Sequence, residues 1–490
     1  MVLPQIVLPY LNRPDLKATS LLRKIFALRW NVTIILILLL PFLFVQSGIG
    51  AAPDSGWAQA EKILRQIVPP TFPALDFNIA AYGAIGDGKT DCTAAFKQAI
   101  AACHAAGGGR VVVPSGIFLT GAIHLKSHVN LHVTKNATIL FSQDVKKYLP
   151  VVYTRFEGVE CMNYSPFIYA YEQENIAITG SGTLDGNAGP EAWWPWKGRK
   201  EYGWKEGAPN GEADVAKLFQ MAEDGVPVRE RVFGAGRCIR PSFIQPYKCK
   251  NVLIDSVTIQ RSPMWEIHPV LCANVTVSNV AVISHGPNND GCNPESSKNV
   301  LIKNCYFDTG DDCVAIKSGR NADGRRVNVP SENIVIQGCR MKDGHGGVVI
   351  GSEVSGSVRN VFAEDCVMDS PNLERALRIK TNSRRGGVIE NIYMRNVTVG
   401  EVSDAVIWVN FNYQEGDGGP HTPVVRNIFV QNVTSKKSRY ALFLEGYARS
   451  PIANLNVANC RFDGVADGSV LNHSRGLKMK NVYINGELQK

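Results

Sequence analysis

Three carboxylates stand out in residues 284–318, SHGPNNDGCNPESSKNVLIKNCYFDTGDDCVAIKS. Asp290 occupies an Asn-Asn-Asp-Gly turn, and Asp311 and Asp312 follow Gly310, with the strand-like run KNVLIKNCYF between the two turns. The 21 residues separating them are close to one repeat of a stacked-coil solenoid, so the next coil places Asp311 and Asp312 over Asp290. Carboxylates that close repel, and one can hold a proton near neutral pH while its neighbours stay ionised. That division into acid and base is what a hydrolase needs.

More polar turns follow at about one coil each: Gly344-His345-Gly346, then Arg378-Ile379-Lys380, then Tyr413. With strands stacked about 4.8 Å apart, five coils span roughly 20 Å, the length of several sugar rings. In Arg378-Ile379-Lys380 both cations point to one side while the isoleucine enters the core, which makes a clamp for a carboxylate. Taken singly, each feature has a plainer reading. Asp-Gly and Asp-Asp turns are common wherever chains bend, His345 can simply close a turn, Arg378 and Lys380 can be solvated strand charges, and Tyr413 a rim aromatic. Recurrence at the coil period favours one shared groove.

The elements that must position these residues are repeats. ENIAITGSGTL, KNVLIDSVTI, ANVTVSNVAVI, KNVLIKNCYF, ENIVIQGCRM, RNVFAEDCVM, ENIYMRNVTV, RNIFVQNVTS and ANLNVANCRF share an Asn followed by short alternating apolar strands. The pattern predicts an all-β chain, a single-stranded parallel β-helix of about ten coils from Phe77 to the C-terminus. A β-propeller would need hairpins, whose signals are weak here. Before the coils, Thr90 or Asp91 can cap a helix over residues 93–102 that covers the open end of the first coil. An insertion of about residues 185–240 breaks the period and carries Trp193, Trp194, Trp196 and Trp204. These aromatics either stack on sugar rings or anchor a long loop.

The chain of 490 residues, 45% hydrophobic, can bury a large core. Its net charge is +8, but Arg13, Lys17, Arg23, Lys24 and Arg29 against Asp15 put about half the excess in the first fifty residues. The remainder suits an acidic partner, and no basic tail, RNA-binding signature or zinc-finger spacing points to nucleic acid. Residues 1–52 read as a signal peptide or membrane anchor with a long basic leader, the apolar run covering residues 32–45 being about the length of a signal core. Secretion or an envelope location is therefore expected, with membrane contact only if that segment stays uncleaved. Residues 53–76 read as a linker. Of twelve cysteines, Cys305, Cys339, Cys366 and Cys460 replace valines of other coils in register and read as buried hydrophobes. Cys92 and Cys103 lie too far apart on the predicted helix to bridge, and no CxxC pair suggests zinc.

The opening phrase YGAIGDGKTD resembles the start of the pectin-lyase-like right-handed β-helix proteins. With the later turns, the chain resembles the polygalacturonases of glycoside hydrolase family 28 over nearly all its length after the leader. The family's Asn-Thr-Asp turn is matched by Asn288-Asn289-Asp290, its Asp-Asp pair by Gly310-Asp311-Asp312, its Gly-His-Gly by Gly344-His345-Gly346 and its Arg-Ile-Lys by Arg378-Ile379-Lys380. Asn289 replaces the usual Thr, and Asn293 stands where relatives often carry Asp, a change expected to leave the catalytic trio untouched.

The resemblance implies inverting hydrolysis of α-1,4-galacturonosyl bonds in pectin by a monomer without a metal or other cofactor. Asp311 would be the general acid, Asp290 and Asp312 would hold and deprotonate water, and His345 would tune the acid. Inverting geometry would separate acid and base by about 6.5–9.5 Å. Asn288, Arg378, Lys380 and Tyr413 would bind the uronate. The insertion, folded over the N-terminal end of the groove, would favour exo attack, with a terminal sugar on Trp193, Trp194 or Trp196. Endo attack, a rhamnogalacturonan or xylogalacturonan substrate, a calcium-dependent pectate lyase and a non-catalytic carbohydrate binder remain alternatives.

Overall fold

The computed structural model describes residues 53–489. The expected leader, residues 1–52, lies outside the described residues.

What makes this sequence coil is visible at its asparagines. Asn175, Asn251, Asn274, Asn299, Asn333, Asn360, Asn391, Asn427 and Asn454 all adopt left-handed backbone, with φ between 51° and 60°. Asn tolerates that conformation better than other side-chain-bearing residues and so bends the chain into the next strand. Each Nδ2 then donates to the Oδ1 of the asparagine one coil below, at 2.9–3.3 Å. The ladder pairs these mostly half-buried amides and fixes the register of every coil it links.

After each asparagine the chain alternates. In Lys298–Lys303, Val300 and Ile302 point inward and their neighbours outward. A full coil adds two more short strands, here Tyr306–Thr309 and Val314–Ile316. The stack is a right-handed parallel β-helix, with one continuous core of Val, Ile and Cys side chains. Among the described residues, the column carrying the ladder holds thirteen strands from Asp76–Asn78 to Lys478–Ile484, against about ten coils expected. The extra rungs are early ones such as Gly109–Val113 and Val129–Val133, which lack the asparagine signature, and the last strand. All twelve cysteines are buried and none forms a disulfide.

Helix α2, Thr93–Ala105, caps the first coil and buries Ala95, Phe96, Ala99, Ile100 and Cys103. The N-cap position is Cys92 rather than the expected Thr90 or Asp91, and Asp91, one residue earlier, accepts hydrogen bonds from the Thr93 amide and hydroxyl. The linker reading of residues 53–76 is corrected. Helix α1, Pro53–Gln66, packs Trp57, Ala60 and Ile63, followed by Ile67, onto Val335, Phe362, Tyr393 and Phe429, which project from four successive coils. Phe362, Tyr393 and Phe429 stack at 4.8 Å spacings, and Arg395 lies 3.8 Å above the Trp57 ring. The spacing of Trp57, Ala60, Ile63 and Ile67 carried this helix in the sequence.

The insertion leaves the coil after Thr183–Asp185 and rejoins at Ile244–Tyr247, carrying helix α3, Glu212–Glu223. Trp193 is a core residue against Tyr148, Phe167 and Trp196. The indole N–H of Trp194 donates to the Ser262 carbonyl and that of Trp204 to the Ala208 carbonyl. Trp193 is thus an anchor with no free face, Trp194 and Trp204 are half-buried and held through their indole N–H groups, and Trp196 borders a cavity.

The ladder yields a stability test. Asn333→Ala removes two ladder bonds and forces alanine into left-handed backbone, so it should cost about 2–4 kcal/mol in denaturant unfolding. Asn333→Gly restores the backbone freedom and should recover about 1–2 kcal/mol of that; equal losses for both would assign the whole effect to the side-chain bonds.

Candidate active site

The groove floor is the third strand column, in which Ile267, Cys292, Val314, Val348 and Leu377 pair in succession. Asp290 stands two residues before Cys292 and Asp312 two before Val314, so each occupies the same place on its rung. Backbone bonds lock the rungs together: the Glu266 amide donates to the Asp290 carbonyl and the Gly291 amide to the Asp312 carbonyl, both at 3.0 Å. The outcome is the juxtaposition that the 21-residue spacing predicts. Oxygens of Asp290, Asp311 and Asp312 lie within 4.8 Å of one another. This nearest-oxygen separation is shorter than the 6.5–9.5 Å expected between the carboxyl groups of an inverting pair.

Each carboxylate has its own surroundings. Asp312 is fully buried and meets both members of the Arg-Ile-Lys pair, Lys380 Nζ at 2.7 Å and Arg378 Nη1 at 3.1 Å. Burial alone would raise its pKa, but the charges of Lys380 and Arg378 hold it below the ordinary value. Asp311 accepts from the Asp312 amide and pairs with His345 Nδ1, both at 2.9 Å. Its burial is likewise outweighed, first by the bond and charge of His345, so it too is held low. Asp290 Oδ2 has Lys317 Nζ at 3.4 Å and accepts from Asn293 Nδ2 at 3.2 Å. Burial, then the Asp311 charge, pushes Asp290 well above the usual range. Of the trio, Asp290 is thus the carboxyl whose environment most favours holding a proton, whereas the sequence assignment puts the acid at Asp311.

His345 holds a second proton. The bond and charge of Asp311 raise it to about 9 from 6.5, although its side chain stays half-exposed. Its approach requires the glycine before it: Gly344 has φ 149°, and the Asp311 carbonyl would lie 2.5 Å from any Cβ there.

The remaining predicted residues come to the same place. Arg378 and Lys380 do point to one side, but they are bound to Asp312, with the Tyr413 ring 5.3 Å from Lys380 and 5.8 Å from Arg378. Asn288 uses its side-chain oxygen to accept from Lys197 at 3.0 Å and Arg240 at 2.7 Å. Asn293, expected not to touch the trio, donates to Asp290; an aspartate there would add a fourth negative charge.

Four residues escaped the sequence reading. Lys317 is buried between Asp290 and Glu353, 3.4 Å from each, with its ammonium 4.4 Å above the Trp265 ring. Burial is outweighed first by the charge of Glu353, which keeps it protonated. Glu266 is buried beside Asp290 with neither carboxylate oxygen bonded, and burial above all raises its pKa well above the ordinary value. The signal for both was a charge inside an apolar run, VAIK and WEIH. The trio, Lys317, Lys380 and Tyr413 line a pocket of about 130 Å³ whose far wall is Glu157 and, from the insertion, Lys197. Three clustered carboxylates could suit a divalent cation, but Lys317, Lys380, Arg378 and His345 already bring positive charge to those oxygens, which disfavours one.

A crystal structure of a hyperthermoactive exopolygalacturonase from Thermotoga maritima is similar at 51% identity and a TM-score of 0.86, covering 88% of this chain and 96% of that one. A probable polygalacturonase of Vitis vinifera is 29% identical over 78% of this chain and 73% of its own length. An exo-poly-alpha-D-galacturonosidase of Dickeya chrysanthemi is 28% identical over 80% and 68%. The sequence model for glycosyl hydrolases family 28 matches residues 234–482, the stretch that contains the trio, His345, the Arg-Ile-Lys pair and Tyr413, and the chain belongs to that family.

Proposed function

We propose that this protein is an exo-acting polygalacturonase that hydrolyses α-1,4-galacturonosyl bonds with inversion. The observation that carries the reading is the convergence of three carboxylates, one proton-holding histidine and a cation-lined wall on one groove floor. The working state needs no more protons than the resting one. Moving the trio's proton from Asp290 to Asp311, across oxygens less than 4.8 Å apart, makes Asp311 the acid and frees Asp290 as the base. Asp311 then gives that proton to the leaving glycosidic oxygen as the bond to the anomeric carbon breaks. Water, held between Asp290 and Asp312, adds to that carbon and leaves its proton on the carboxylate pair. His345 keeps Asp311 oriented, and Lys317, Lys380 and Arg378 stabilise the ionised partners throughout.

Exo attack is supported by the approach of the hairpin residue Glu157 and the insertion residue Lys197 to the catalytic pocket, which both line, and by the exopolygalacturonase names of similar proteins. A polymeric substrate also favours action outside the cell, in keeping with the apolar run at residues 32–45. The crowd of cations around the trio counts against the calcium-dependent lyase alternative.

Asp290→Asn, Asp311→Asn and Asp312→Asn should each lower kcat on de-esterified polygalacturonate at least about a hundredfold. A variant that keeps near-wild-type turnover, with an unchanged circular dichroism spectrum, removes its residue from the mechanism.

The alkaline limb should belong to His345. The imidazolium is present below about 9 and lost above it, so kcat/KM should fall as pH rises through about 9. In His345→Gln that limb should vanish and the rate at neutral pH should drop; the same limb in wild type and variant would assign it elsewhere.

Product analysis checks the mode of attack. Viscosity should fall slowly relative to reducing ends released, and proton NMR at early times should show the β-anomer of the new end. A steep viscosity drop would mean internal cuts, and an initial α-anomer would mean retention.

A further inference from the structure

The rungs beyond the catalytic pocket repeat in shape but not in charge. On the third strand column Arg378 pairs with Trp408, Trp408 with Phe443 and Phe443 with Val470, while Lys380 pairs with Asn410, Asn410 with Glu445 and Glu445 with Asn472. Residues two apart on a strand share a face, so two files run along the floor from the cation pair. One is apolar, Trp408, Phe443 and Val470; the other is polar, Asn410, Glu445 and Asn472. Trp408 packs between the Arg378 guanidinium, 5.4 Å from its ring, and Phe443, stacked at 5.9 Å, while Phe443 and Val470 lie half-buried at the surface. The floor cations stop at Lys380. A cavity of about 450 Å³ lies over the polar file, with Glu445 and Asn472 in its lining. Asn412 borders it and the next residue, Tyr413, borders the catalytic pocket, so the two spaces are neighbours along one loop. Arg449, which also lines the cavity, is paired with Asp417 and lies 4.7 Å from the Tyr447 ring. Glu445 makes no ion pair among the described residues, and the charge-bearing lining is completed by the exposed His473.

We infer that the rungs beyond Lys380 select uncharged residues of the leaving chain, namely methyl-esterified galacturonate, and that Glu445 sets the selection. The inference rests on the proposed function and deepens it. The insertion belongs to rungs before that of Asp290, so a chain whose end enters beside it has the later rungs to lie along. Two rungs past Lys380, about 10 Å on, a free uronate meets the Glu445 carboxylate and no unpaired cation of the floor. Like charges brought together in this way weaken binding and exclude the wrong partner. Esterification removes the charge, gives the apolar file a methyl group to cover and leaves a carbonyl that can accept from the Asn410 or Asn472 amide. Glu445 is a specificity residue and touches no reacting atom. An enzyme with this floor removes a free galacturonate from the end of a chain that is still esterified behind it, so the de-esterifying reaction that precedes it need expose only the terminal unit.

Two trimers that differ only in charge provide the test: trigalacturonate, and trigalacturonate methyl-esterified on the two residues nearest its reducing end. Initial rates are measured at low ionic strength for the full-length wild type, Glu445→Gln and Glu445→Lys. Wild type should show a kcat/KM on the esterified trimer at least about threefold above that on the free acid, carried by KM with kcat little changed. Glu445→Gln should narrow the difference, Glu445→Lys should reverse it, and added salt should shrink it. An unchanged melting temperature shows that charge and not fold has been altered. A wild type that prefers the free acid, or the same ratio in all three proteins, overturns the inference. Galactose in the same two places should gain from the lost charge without the methyl contact and fall between the two trimers; a rate below that of the free acid overturns the part given to charge. Calorimetry on Asp311→Asn, which should turn over too slowly to interfere, measures the same preference as a ratio of Kd values. That ratio intact while wild type cleaves neither trimer would defeat the proposed function and leave the selectivity of these rungs standing.

Discussion

The pairing of Lys380 and Arg378 with Asp312 is the contact on which the site depends. Asp312 has no exposure to water, and an isolated buried carboxylate costs several kcal/mol even after relaxation. Two cations at 2.7 and 3.1 Å make its ionised form tolerable, and that fixed negative charge then sets its neighbours. With Asp311 also held low by His345, the third carboxylate, Asp290, is the one pushed upward, towards its protonated form. The cluster is thus a shared store: one proton on the trio, one on the histidine, and enough surrounding cations that moving the first of these protons between oxygens changes no net charge.

The β-helix supplies this arrangement through its translational repeat. Consecutive rungs lie a hydrogen bond apart, so groups that occupy the same place on two rungs are brought within contact distance, whatever their separation in sequence. Asp290 and Asp312 are neighbours because Cys292 pairs with Val314, and Arg378 reaches Asp312 across the intervening rung because Val314 pairs with Val348 and Val348 with Leu377. The asparagine ladder maintains that register on another edge of the coil. A slip of one residue in any linked rung would turn Asp312 inward and valines outward.

This periodicity explains which parts were legible in the sequence. Asp290, Asp311, Asp312, His345, Arg378, Lys380 and Tyr413 recur at the coil period, so their convergence follows from counting, and the capping helix follows from Ala95, Phe96, Ala99, Ile100 and Cys103. Helix α1 was legible through Trp57, Ala60, Ile63 and Ile67 but was passed over as a linker. The location of the proton was not legible, because it depends on distances from Asp311 to His345 and from Asp290 to Lys317 that no local pattern encodes. Nor were Lys197 and Arg240, which reach the site from a non-repeating insertion. The tryptophans there drew attention by type, yet Trp193, Trp194 and Trp204 are structural, and the informative residues were the cations beside them.

A repeating groove cannot by itself decide where a polymer must stop, since each rung offers much the same floor as the next. A stop needs a segment that breaks the repeat and is held rigidly enough to resist a long chain. Here the hairpin Val152–Phe156 and Val159–Asn163 and the insertion share an apolar cluster in which Phe156, Leu218 and Phe233 meet Trp265 of the coil. Buried ion pairs reinforce it: Arg155 with Glu295 at 3.2 Å and Arg231 with Asp323 at 2.7 Å, each joining the wall to a residue of the coils. Loss of either partner would leave an uncompensated buried charge, which ties the position of the wall to the integrity of the coils. Trp265 completes the connection. One side of this residue belongs to the wall cluster and its ring receives the Lys317 ammonium, so the packing that closes the groove also positions the cation beside Asp290.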